Sequence, residues 1–132
     1  MNKTYFKKEK VLRKNKEFSQ QTRLLFIYNY ECFRCGKNKW DILHHIMGGN
    51  FEEADSPLNA ACLCNYPCHI GWSFDDKISS RFLYKTLKYL YLNKYKLNSN
   101  DIKFIQEFYK IYLLTPKSKE LIDKMIKTAH LR

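Results

Sequence analysis

Residues 31–75 of this chain hold every cysteine, three of the four histidines, both tryptophans and all four glycines. Cys32 and Cys35 form a C-x-x-C pair followed by Gly36, a spacing that lets two thiolates grip one ion from a tight turn. Cys64 and Cys68 form a second pair, spaced C-x-x-x-C. Zn²⁺ favours four soft ligands in a closed tetrahedral site, so the two pairs together predict structural zinc. One C-x-x-C alone also suits a redox couple. Buried hydrophobic thiols are the plain alternative, one that single cysteines often fit and four spaced ones do not. Cys62 shares a strand face with Cys64 and competes as a ligand, but reads better as a core thiol.

Between and beside these pairs stand His44, His45, Asn59 and His69. Neutral imidazole is both a common ligand and a base that titrates near neutral pH. Adjacent histidines at a strand end, with a third brought near by the cysteine knot, suit a divalent-metal site. Each member also has a plainer reading: a satisfied histidine, or a turn asparagine after Pro57. His130, outside the cluster, takes that plainer reading, and Asp41 reads as a surface partner for lysine.

The order C-x-x-C, His-His, Asn, Cys…Cys-His resembles that of the HNH endonucleases over about residues 31–73. The resemblance implies a β-hairpin followed by a helix around one metal ion. It implies that His44 and His69 bind a catalytic Mg²⁺ or Mn²⁺, and that His45 is the general base which deprotonates the attacking water. Asn59 would hold the loop after the first strand by a backbone hydrogen bond. Cys32, Cys35, Cys64 and Cys68 would hold structural Zn²⁺. DNA is the implied substrate and partner, cut to 5′-phosphate and 3′-hydroxyl ends. The family more often spaces its second cysteine pair as C-x-x-C, whereas Asn65, Tyr66 and Pro67 intervene here. A zinc knuckle that binds nucleic acid or protein without cutting explains the cysteines and charge equally well, but not the histidines and Asn59 in that order.

The resemblance, with the helical patterns on either side, implies an α+β fold: a ββα-metal core with a four-cysteine zinc knot, flanked by an N-terminal helix and C-terminal helices. Trp40–Ile46 reads as a strand, Gly48–Pro57 as a loop, Asn59–Leu63 as a second strand, and a helix is expected from about Cys68. Strict alternation sends His44 and His45 to opposite faces unless the strand bends near the Gly48-Gly49 pair. Upstream, Ser19 can cap a helix through Leu24, Leu25 and Ile27. Downstream, Asp75 or Asp76 starts or caps a helix carrying Ile78, Phe82, Leu83, Leu87, Leu90 and Tyr91. Ser99 or Asn100 caps a second, with Ile102, Ile105, Phe108, Ile111 and Tyr112. Thr115-Pro116 opens a third, with Leu121, Ile122, Met125 and Ile126 inward.

At 132 residues the chain fits one domain. It divides into a basic arm and helix (1–30), the core (31–75) and a helical extension (76–132). Lys and Arg total 24 against 13 Asp and Glu, a formal charge of +11. A field of that sign attracts polyanions. The arm carrying Lys7, Lys8, Lys10, Arg13 and Lys14 fits either a solvated segment or a phosphate-binding one. No stretch approaches the roughly 20 apolar residues of a membrane span, and no apolar signal core follows the N-terminal charges. These absences lead us to expect a cytoplasmic protein, and the small size and Lys/Asn/Tyr-rich composition suit a phage or mobile element. Oligomeric state is not legible.

Overall fold

The computed structural model describes residues 17–70 and 75–130. The basic arm with Lys7, Lys8, Lys10, Arg13 and Lys14 lies outside the described residues. So does Ser73.

The fold is α+β. Helix α1 (Gln20–Leu24) is followed by strand β1 (Ile42–His45), strand β2 (Ala60–Leu63), and helices α2 (Asp76–Leu92), α3 (Ser99–Ile111) and α4 (Pro116–His130). A 3-10 turn, Pro57–Asn59, leads into β2, and a wide turn, Asn65–His69, leads out of it. The strands pair antiparallel, with Ile42 opposite Leu63 and His45 opposite Ala60. Every residue of β2 is buried, whereas β1 is half-buried along its length. β2 is therefore the floor of the core, and β1 is the edge from which side chains reach outward.

Both strands are shorter than their sequence patterns, for identifiable reasons. The Trp40 N–H pairs with the Tyr30 carbonyl at 3.1 Å, so the chain there belongs to the cysteine-bearing loop and not to the sheet. At the other end the Met47 N–H goes to the Asn59 side chain, which stops the ladder. Asn59 itself closes the 3-10 turn that Ser56 caps, so β2 begins one residue later.

α2 lies across β2 and the 3-10 turn, and α4 packs on α2. Phe82, Leu83, Leu87 and Leu90 project from α2 into the core beside Leu58, Leu63 and Met125. The helix is pinned polar-to-polar as well, because the Thr86 hydroxyl donates to the Ala60 carbonyl at 2.6 Å. Buried backbone carbonyls need such partners. Asp75 caps α2 by accepting from the Ile78 N–H, and the Thr115 hydroxyl accepts from the Ser118 N–H ahead of α4.

Three expected elements differ. Ser19 does cap α1, but the helix stops at Leu24 and the chain tightens through i−3 bonds at Leu25, Phe26 and Ile27. That tightening turns Phe26 fully inward and leaves Leu24 and Ile27 exposed. The helix expected from Cys68 is instead the single wide turn Asn65–His69, whose Tyr66 is extended; the next described helix begins at Asp76. The cap of α3 is Asn98, not Ser99 or Asn100, because Asn98 and Asp101 form a reciprocal capping box. Its core residues are Phe104 and Phe108, and Ile111 is exposed.

Asp101 also ties α3 to the rest of the molecule. It is fully buried and accepts from the Ser56 hydroxyl at 2.8 Å, the Tyr95 hydroxyl at 2.6 Å and the Asn98 N–H at 3.0 Å. Asp101→Ala would strand three donors, so we expect a stability loss of about 3 kcal/mol. Urea unfolding checks this, and a loss near zero would mean water takes over the site.

Candidate metal centre

Residues 30–40 form a small looped hairpin that presents the first cysteine pair. The Cys32 N–H donates to the Asn38 carbonyl at 2.9 Å and the Gly36 N–H to the Cys32 carbonyl at 3.0 Å. Gly36 sits at φ 68°, a left-handed conformation that glycine adopts without steric cost. The hairpin is anchored to the core by the Phe33 N–H on the Cys62 carbonyl at 2.7 Å, and by the Lys85 ammonium on the Phe33 carbonyl at 2.8 Å. The second pair comes from the end of β2 and the wide turn. Asp41, expected to meet a lysine, instead accepts from the Asn65 N–H at 2.9 Å and fixes the entry to that turn.

The sulfurs of Cys32, Cys35, Cys64 and Cys68 all lie within 4.8 Å of one another. A tetrahedron of Zn–S bonds near 2.3 Å has edges of about 3.8 Å, so little movement separates this cluster from a closed site. The cluster can hold a metal ion such as zinc.

Its electrostatics fit a cation. The Asn38 and Lys37 N–H groups, donating to its sulfur, pull the Cys35 thiol down to about 6. Burial pushes Cys64 up, but the Asn38 amide, at 3.4 Å from its sulfur, and the Cys68 N–H carry it below the ordinary thiol value. Cys68 is pushed strongly up, by burial first and then by the neighbouring sulfurs. Thiolates crowded this closely repel one another, and a dication among them removes the conflict. Cys62 stands apart: it is fully buried, and desolvation raises its thiol to about 12. It is a core thiol.

The histidines occupy the rim next to this knot. His44, on β1, and His69, at the end of the wide turn, bring their ring centroids to 5.4 Å at an interplanar angle of 67°. Phe82 of α2 lies edge-on to His44 at 6.0 Å. Burial, then the neighbouring charges of His69 and His45, hold the His44 imidazole down to about 4, so it is neutral at pH 7. The Nδ1 atom of His69 is buried without a hydrogen-bond partner, an uncommon state for a native polar atom.

His45 has different neighbours. Its ring stacks on Phe18 at 3.9 Å with an interplanar angle of 8°. Burial lowers its pKa, and the Asp55 carboxylate partly opposes that. The strand does not bend within the histidine pair; the turn comes after it, with Gly48 at φ 88°. Asn59 is fully buried and grips that turn. Its side-chain oxygen accepts from the Met47 N–H at 2.8 Å, and its amide donates to the carbonyls of Gly48 at 3.1 Å and Ala54 at 2.9 Å.

The structure thus brings His44 and His69 together, turns His45 towards Phe18 on the unbent strand, and places Asn59 on the loop behind. Reading the sequence missed Phe18, Asp55 and Asn38. Only Asn38 left a local signal, as a polar residue just past the Cys32–Gly36 turn. Among the described residues the four cysteines are the one group of three or more ligands close enough to hold an ion; the histidine pair supplies two.

The purified chain should carry one zinc ion, measurable by elemental analysis. Cys35→Ser should abolish both zinc and cooperative unfolding, whereas Cys62→Ala should keep the ion. A stable, zinc-free Cys35→Ser protein would remove the basis for a structural metal.

Set against family models, curated proteins and solved structures, the chain matches none.

Proposed function

We propose that this chain is a metal-dependent endonuclease of the HNH kind that hydrolyses phosphodiester bonds in DNA, braced by structural zinc on Cys32, Cys35, Cys64 and Cys68. One observation carries the reading. His44 and His69 converge, His69 with a buried ring nitrogen left open, while a half-buried His45, its pKa lowered by burial, follows His44 on β1.

His44 and His69 would hold a Mg²⁺ or Mn²⁺ ion, with substrate and water oxygens completing the shell. When bound, that ion supplies charge neutralisation at the scissile phosphate and the leaving 3′ oxygen. The rest belongs to the protein. His45 accepts the proton of the attacking water, which its lowered pKa permits at neutral pH. Phe18, stacked on the ring, fixes its plane. Asp55 favours the imidazolium formed once the proton has moved. Asn59 keeps the loop beyond His45 from shifting, through three hydrogen bonds that a turn residue would not need. The formal charge of +11 supplies attraction for the phosphate backbone.

Incubation with supercoiled plasmid, with and without Mg²⁺ or Mn²⁺, tests the reading. We expect metal-dependent nicking, and a rate roughly 10²–10⁴-fold lower for His45→Ala, the usual worth of a general base. The variant should retain its zinc and fold. Binding without cutting by both proteins would favour the other reading, a zinc knuckle that only recognises nucleic acid.

A further inference from the structure

The C-terminal end of α2 carries the sequence Tyr91-Leu92-Asn93-Lys94-Tyr95-Lys96, and a cleft of about 370 Å³ opens there against α4. Tyr91, Leu92, Tyr95 and Met125 form its aromatic and apolar walls, and Lys94 and Lys96 supply charge. Among the described residues no acidic side chain lines it. Asp101, bonded to the Tyr95 hydroxyl, is fully buried and committed to its own donors. Lys124 lies 6.0 Å from the Tyr91 ring centroid, with Glu120 at 3.7 Å from its ammonium.

The backbone at Lys94 is the informative feature. The Tyr95 N–H reaches back to the Leu90 carbonyl at 3.0 Å and the Lys94 N–H to the Tyr91 carbonyl at 3.1 Å, the pattern of a helix closed by a left-handed residue. Lys94 takes that position at φ 62°. Glycine is the low-cost residue there, because a Cβ is disfavoured in the left-handed region. A lysine held in a strained conformation, with its side chain lining a cleft, points to use of the charge rather than of the turn.

We infer that this cleft binds a DNA strand with unpaired bases, one base stacking on Tyr91 and its flanking phosphates meeting Lys94 and Lys96. Aromatic rings among cations are how proteins hold single strands without reading sequence. Duplex DNA keeps its bases stacked on each other and offers none to the ring. Resting on the nuclease reading, the inference names its substrate class: single strands, flaps or gaps.

The test uses the full zinc-loaded chain without added divalent ions, so it does not depend on cleavage. Two fluorescent probes of about ten nucleotides are compared, oligothymidylate and an abasic strand with the same phosphates. The wild type should prefer the thymidylate by about tenfold, and Tyr91→Leu should erase that preference. Lys94→Gly should weaken binding and lower the slope of log affinity against log salt by about 0.7, one phosphate contact on a single strand. It should also raise the urea midpoint, since glycine relieves the left-handed strain, so weaker binding cannot be blamed on damage to the fold. A thymidylate preference that survives Tyr91→Leu, or an unchanged salt slope in Lys94→Gly, overturns the inference. If the cleft behaves as stated and plasmid or single strands are never cut, the nuclease reading falls and the cleft stands.

Discussion

Four sulfurs held within 4.8 Å of one another are the constraint on which the rest of the site depends. Left as thiolates they repel, and left as thiols they waste the N–H groups of Lys37 and Asn38 that donate to Cys35. A cation resolves both, and in our proposal that cation is zinc. Structural zinc can contribute on the order of 10 kcal/mol of apparent binding energy to folding. With two strands in the sheet of the described residues, the fold has reason to depend on it.

The tie has a geometric consequence. β2 runs from the Asn59 clamp at one end to Cys64 at the other. Fixing Cys64 and Cys68 on the cysteine hairpin fixes where the wide turn leaves the sheet, and so where His69 stands relative to His44 on the neighbouring strand. Asn59, at the opposite end, fixes the loop that follows His45. The two ends of one short buried strand thereby set both sides of the histidine cluster. α2 completes the arrangement, with Thr86 on the Ala60 carbonyl, Lys85 on the Phe33 carbonyl and Phe82 behind His44. Among the described residues no helix is long and apolar enough to cross a membrane.

What could be read from the sequence was what short-range spacing encodes. The cysteine pairs were legible because ligand geometry demands nearby residues, and β1 and β2 because helical periodicity is absent there and turn residues flank the short apolar runs. The stripes of α2 and α4 were legible from helical periodicity. Contacts made across the fold were not. Asp41 looked like a surface carboxylate because nothing near it in sequence reveals the Asn65 N–H. Phe18 precedes the helix cap with no neighbouring residue to mark it, yet it covers His45. Asn98 was passed over for Ser99 and Asn100 because only the partner three residues on, Asp101, distinguishes it. Tyr91 fitted the apolar stripe but lies at its margin, where the ring stays partly exposed and lines the cleft.

The central claim is that a second metal site exists, separate from the cysteines and built on His44 and His69. Paramagnetic resonance of Mn²⁺ titrated into the zinc-loaded protein tests it most directly, with His44→Ala and His69→Ala measured alongside. The account predicts one bound Mn²⁺ per zinc-bearing chain, lost in both variants while zinc stays in place. Manganese that fails to bind, or binds equally well without either histidine, would contradict it.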